Sequence, residues 1–383
     1  MRRRALLRAL TATPLAAWFR WSLPSDLVCL AEEVPNAATV YRRAFACVQA
    51  LGPEDQERLA HAATLNPDDP SAVALIEHAK PALEAIREAV AIGRCDWQRE
   101  VVTDTDLTTY RHGVSYLHVI RIAVLSARRH ADQGRSRPAL DDLFAALALA
   151  HRVGGRDVLF ARVLETAGEV AVFQALGRIL PKLDRPALED LSRRLDGLAP
   201  PEPASAAIGP ESRFIVGSIR AKLLAMGPVI AGGDWETLGF DAEEAATLKR
   251  LTGGDHAAVV AHLEKTGPAF EELGRRLDLP RPNCRTAFDE FMRTARRDQP
   301  VVASLAKNGW GARHVVDRML ALRAMLRAGL ALVRDGEPAF RKVPDPFGAG
   351  PFGLERRGKG YVIRSALDED GRPAVVLTIG EAA

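Results

Sequence analysis

Cysteine is scarce in this chain: four among 383 residues, at Cys29, Cys47, Cys95 and Cys284. No C-x-x-C pair occurs, which excludes the usual zinc-ribbon and thioredoxin-type spacings. Aromatics make up only 6% of the chain, while Ala, Leu and Arg recur throughout. That balance disfavours a β-rich fold and favours helices. No apolar stretch approaches the roughly 20 residues that a membrane-spanning helix requires. No H-E-x-x-H, G-x-S-x-G, P-loop or G-x-G-x-x-G pattern is present, so the common signatures of zinc proteases, α/β-hydrolases and nucleotide binders are missing. Acids are absent from the first twenty residues, which carry Arg2, Arg3, Arg4, Arg8 and Arg20. Because the whole chain has a formal charge of only +3, the remainder is close to neutral. A near-neutral body of mixed sign offers no electrostatic footprint for nucleic acid.

What is present begins with MRRRALLRALTATPLAAWFR, a basic start followed by a short apolar stretch interrupted by Pro14. This layout is that of a bacterial export signal. Arg3-Arg4-Ala5-Leu6-Leu7-Arg8 resembles the twin-arginine pattern, which implies export of an already folded protein to the periplasm or cell envelope. The competing reading is a cytoplasmic protein with a basic amphipathic helix. If the leader is removed, three cysteines remain. Cys47 and Cys95 then either bridge or stay as inert thiols, and the inert reading is favoured because a free cysteine behaves as a small hydrophobe.

From Asn36 onward the pattern is helical. In PALDDLFAALALAHRV, Leu140, Leu143, Phe144, Leu147 and His151 share one helix face. A second face is expected from Phe160, Val163, Leu164, Ala167 and Ala171, ending near Pro181. A phrase recurs as KPALEAIREAV at 80–90, RPALDDLFAAL at 137–147 and RPALEDLSRRL at 185–195. Its offsets are unequal, so it reads as helix-start grammar, with Pro in the first turn followed by an acid and spaced apolar residues. LAPPEPAS at 198–205 is the best internal boundary. Beyond it come shorter helices broken by AGGDW and TGGDH. A long helix follows, with Val315, Met319, Leu322 and Met325 in a stripe. FGLER, YVIRS and AVVLTIG read as short strands after residue 336. The expected fold is mainly α. Antiparallel helical hairpins stack in a solenoid-like way, and a small C-terminal β-hairpin or meander follows. The divisions are a signal-like segment at 1–35, a helical-hairpin domain at 36–198, a second helical region at 205–335 and a β-rich module at 336–383.

Two stretches resemble known groups. AIREAVAIGRCDWQ, with Cys95-Asp96-Trp97 after a long helix, resembles a group of exported bacterial helical proteins that carries no established activity. Asp345-Pro346-Phe347-Gly348, Pro351-Phe352 and the strand Tyr361–Ser365 follow a long helix. They resemble the C-terminal module of the major pseudopilins of type II secretion. That likeness implies a hairpin pinned on the last helix and a neighbouring calcium loop. Asp368-Glu369-Asp370-Gly371 stands in place of that loop, with Asp368 and Asp370 as calcium candidates. One acidic turn supplies only part of the six to eight oxygens that calcium takes, and an exposed hairpin turn is the plainer account. The N-terminal pilin helix of that family is absent here.

Titratable candidates are few. His112 and His118 in YRHGVSYLH, and His256 and His262 in GGDHAAVVAHLE, are each six residues apart. On a helix that spacing places them on different faces, a poor arrangement for metal. His112, His118, Asp255 and His256 are retained as binding candidates, although Asp255 also reads as a helix N-cap. No catalytic residue, metal or cofactor is expected. The row Arg313, Arg318, Arg323 and Arg327 reads as a solvated face paired with acids. These readings favour a non-enzymatic helical scaffold or binding protein of the bacterial envelope, holding a peptide, protein or glycan in a groove between hairpins. One alternative is a hydrolase whose site gathers His112, His118 and Asp255. Another is a secretion or pilus-like assembly component.

Overall fold

The computed structural model describes residues 35–62, 64–97, 113–154, 159–226, 230, 234–307, 309–367 and 374–381. The leader, His112, Asp368 and Asp370 lie outside them. The chain begins with α1 (Ala37–Gln49), α2 (Pro53–Ala60), α3 (Pro70–His78) and α4 (Lys80–Val90). After the gap come α5 (Gly113–Asp132), α6 (Ser136–Gly154), α7 (Leu159–Ile179) and α8 (Arg185–Asp196). The Pro-rich linker leads to α9 (Ser205–Ala225), the one-turn α10 (Asp234–Thr237), α11 (Ala242–Thr252), α12 (His256–Glu264) and α13 (Gly267–Leu277). Next are α14 (Arg281–Asp298), α15 (Pro300–Ala306), the long α16 (Gly309–Asp335) and the short α17 (Glu337–Phe340). Strands β1 (Gly353–Arg357), β2 (Gly360–Arg364) and β3 (Val376–Ile379) close the chain as an antiparallel meander. The mainly α fold with a small C-terminal sheet is thus present.

Helix starts follow the sequence grammar. Each copy of the recurrent Pro-Ala-Leu phrase opens a helix, namely α4, α6 and α8, and its Ala and Leu are buried in all three. At α8 the Asp184 carboxylate accepts from the Ala187 amide at 2.9 Å. This is an N-cap of the kind whose loss costs about 1 kcal/mol. Gly134, at φ +70°, ends α5 in the left-handed conformation and turns the chain into α6.

One apolar core runs through α1 to α8, the second half of α16 and the C-terminal sheet. Two smaller cores occupy the region between α9 and the start of α16. Contacts are not confined to chain neighbours, because α7 packs on α5, α6 and α16 as well as on β3. The faces of α7 therefore differ from the sequence expectation. Val163 is 46% exposed and Ala167 is exposed, whereas Val172, Phe173 and Leu176 are buried. A helix surrounded on several sides has no single apolar stripe to read.

The Cys95-Asp96-Trp97 motif serves the fold. The Trp97 ring stacks on Tyr41 and Phe45 with centroids at 6.0 and 6.1 Å. Its Nε1–H donates to the Arg152 carbonyl at 2.8 Å, joining the chain after α4 to the end of α6. The Asp96 amide donates to Asn36 Oδ1 at 2.9 Å, beside the start of α1. Cys47, Cys95 and Cys284 are all free thiols, so the bridge between Cys47 and Cys95 is not formed.

The C-terminal sheet is seated more deeply than a hairpin on one helix. Gln174 Nε2 donates to the Val376 carbonyl at 2.7 Å, and the Gly380 amide donates to the Gly177 carbonyl at 3.0 Å. A Cβ on Gly177 would stand 2.4 Å from the Thr378 carbonyl oxygen. One on Gly329 of α16 would meet Ile379 Cδ1 at 2.5 Å. The two glycines let β3 lie against both helices. Asp345 does more than interrupt the helical pattern: its buried carboxylate accepts from the Ser365 hydroxyl at 2.9 Å and the Ala366 amide at 2.5 Å, fastening the loop before β1 to the end of β2.

Candidate functional site

The linker after α8 covers a cleft of about 310 Å³ between α7 and α16. Three segments distant in sequence build it. From α7 come Arg162, Glu165, Thr166 and Glu169, whose spacing of three, four and seven residues places them on one helix face. From α16 come Ala312, Val315, Val316, Met319 and Arg323, again a helical stripe. The segment Ala199–Ala204, together with Ala207 of α9, supplies a wall of prolines and small side chains. His151, at the end of α6, completes the lining.

A charged cluster is buried beneath this apolar wall. Glu169 is only 3% exposed. Its Oε1 accepts from Arg323 Nη2 at 2.6 Å and lies 2.5 Å from His151 Nε2. With the carboxylate ionised, His151 Nε2 carries the proton of that bond. Burial pushes the Glu169 carboxyl upward, but the His151 hydrogen bond and the Arg323 charge outweigh it and hold it below the ordinary range. Arg323 also donates to the Ala199 carbonyl, so the same guanidinium ties down the linker. Its Nε is buried and finds no hydrogen-bond partner among the described residues. The arginine row of α16 is therefore not simply a solvated face, because Arg323 is 8% exposed and turned into the cleft floor.

Glu165, one turn before Glu169, behaves oppositely. Burial raises its carboxyl, Arg162 opposes the rise at 2.9 Å, and the Glu169 charge adds to it. Arg162 also reaches Glu202 of the linker. The site thus pairs a firmly ionised carboxylate with one that holds its proton more readily, a split set by environment rather than residue type.

The described sequence candidates, His118, Asp255 and His256, do not line this cleft. His118 is half-buried on α5, where burial and Arg121 lower its pKa. Asp255 caps α12, accepting from the Ala258 amide at 2.8 Å. His256 follows it as the first residue of that helix, and its Nε2 is buried without a partner among the described residues. No hydrogen bond or ion pair joins His118 to Asp255 or His256 among the described residues. The two regions also belong to different apolar cores. Among the described residues no three His, Cys, Asp or Glu side chains gather as a metal site, and no helix is long and apolar enough to cross a membrane. Sequence reasoning missed Glu165 and Glu169. Their available signal was two acids one turn apart in the small-residue run ETAGEVAV.

Comparisons with protein-family models, with curated proteins and with solved structures find no match to this chain.

Proposed function

We propose that this chain is a binding protein of the bacterial cell envelope and that the cleft between α7 and α16 receives an apolar side chain from a peptide segment. The observation that carries the reading is the combination of an apolar wall with a charge cluster whose members largely satisfy one another. Ala207, Ala312, Val315, Val316 and Met319 offer the wall, while His151, Glu169 and Arg323 are engaged together. Sites of this size typically bind through apolar surface, with a few polar groups fixing orientation. Glu165 and Thr166 lie among those walls and are suited to a peptide backbone. Among the described residues the lining contains no Phe, Tyr or Trp. This favours a peptide over a glycan, which would benefit from a stacking surface.

Selection from a random peptide library on the full chain tests this. Enriched peptides are expected to bind saturably and to lose about tenfold or more of their affinity for Ala207→Trp, which fills the cleft. Equal binding to a folded Ala207→Trp variant would overturn the reading. The export half of the proposal rests on the arginine-rich start. It fails if a bacterial reporter carrying residues 1–35 stays in the cytoplasm.

A second reading, acid–base hydrolysis, draws on the opposed shifts of Glu165 and Glu169. It predicts cleavage of the selected peptides, with loss of cleavage but retention of binding in Glu165→Gln.

A further inference from the structure

The two long helices that build the cleft contribute unlike surfaces to it. From α16 come Ala312, Val315, Val316 and Met319, an apolar stripe. From α7 comes Glu165, whose side chain is only 15% exposed. Arg162 Nη1 donates to Glu165 Oε2 at 2.9 Å. The other oxygen, Oε1, makes no hydrogen bond or ion pair among the described residues. The Arg162 guanidinium also reaches Glu202 of the linker, so its charge is divided between two carboxylates. The second guanidinium of the lining, Arg323, is engaged by Glu169 and by the Ala199 carbonyl.

An ionised carboxylate in a confined, partly apolar space is unfavourable unless positive charge answers it. Burial raises the Glu165 carboxyl, Arg162 opposes the rise and the Glu169 charge reinforces it, so one shared guanidinium compensates the group incompletely. A ligand carboxylate placed here would meet Glu165 and Glu202 as like charges. A ligand ammonium or guanidinium meets the reverse situation: it pairs with Glu165 while Arg162 stays with Glu202. Lysine and arginine also have apolar stems that lie along a wall such as that of α16 while the charged head reaches a polar group. The same cleft thus suits an apolar anchor and a cationic neighbour together.

We propose that the peptide segment received by this cleft carries a basic side chain next to its apolar anchor, and that Glu165 selects it. The inference rests on the peptide reading of the cleft given above. The test uses the full chain and three pools of acetylated, amidated peptides, each with one fixed Leu followed by Lys, Gln or Glu and with uncharged residues elsewhere. Calorimetry should show the Lys pool binding about tenfold more tightly than the Gln pool, and the Glu pool more weakly than either. Because the chain has a formal charge of +3, unspecific attraction would favour the Glu pool instead. Glu165→Gln, which removes a charge that burial disfavours and should therefore fold, is expected to erase the difference between the Lys and Gln pools. Equal affinity of the native protein for all three pools, or a Lys preference that survives in Glu165→Gln or in the filled cleft of Ala207→Trp, overturns this inference and leaves the peptide reading standing. Binding of no pool overturns both.

Discussion

The two halves of α7 face recesses built on opposite plans. Around the first half, Glu169 is enclosed by His151 and Arg323, and Ala207, Ala312, Val315, Val316 and Met319 supply an apolar wall. Around the second half, Arg128, Arg178 and Lys182 line polar space, and Lys182 is held by Asp132 and Glu381. The difference is one of burial: Glu169 and Arg323 are enclosed, whereas Lys182 and Glu381 meet at the surface. A buried ion is tolerated when its partners are fixed within the protein. An exposed ion pair contributes little, because water screens it.

The largest expected effect concerns the enclosed cluster. Glu169→Ala leaves Arg323 buried without its counter-ion and should reduce stability by about 3–5 kcal/mol in a urea titration. A loss below about 1 kcal/mol would erase the contrast with the second recess. The pH dependence has a definite sign. Since the folded carboxyl of Glu169 is depressed, its stabilisation is present above the ordinary carboxylate pKa and is lost as pH falls through the folded value. The stability difference between the native protein and Glu169→Gln should therefore narrow in acid.

Next in size is Gly177→Ala. Its methyl group would press on the Thr378 carbonyl at the junction of α7 and β3, with an expected loss of about 1–3 kcal/mol. Hydrogen exchange should localise that loss to β3, and a uniform loss across the chain would count against the tight seat described for the strand. Glu165→Gln should produce a small gain at neutral pH, because it removes a buried charge whose pKa is raised. That gain should fade as pH falls, and a marked loss would show that the ionised form supports the fold. The smallest effect is assigned to Arg178→Gln, within about 0.5 kcal/mol by thermal melting. A larger loss would place this arginine with the enclosed charges.

Much of the fold was legible because it is written locally. The Pro-Ala-Leu phrases mark helix starts, and of the stripe Val315, Met319, Leu322 and Met325 the last three are buried while Val315 is half-buried. Strands β1 and β2 match FGLER and YVIRS to within one residue at each end and β3 lies within AVVLTIG, because β-branched residues and turn glycines carry that information in a few positions. The cleft was not legible, because Glu169 and its partner Arg323 are 154 residues apart. Nothing in either local pattern announces the other. The exposed Val163 and the buried Glu169 illustrate the same limit on α7. Tertiary packing on several sides decided which face went inward. The histidines drew notice for their chemistry, yet His118 and His256 were placed by separate cores.

The seating of β3 against α7 also has a consequence in time. The hydrogen bond from Gln174 to the Val376 carbonyl closes a loop of 202 residues. Contacts so far apart form slowly, because a long stretch of chain must be confined before they return any stability. During synthesis α7 emerges early, and the side that β3 will cover remains bare while the following two hundred residues are made. The close seat beside Gly177 stays open through that interval. A chain stopped before residue 376 is a helical assembly with one side unfinished.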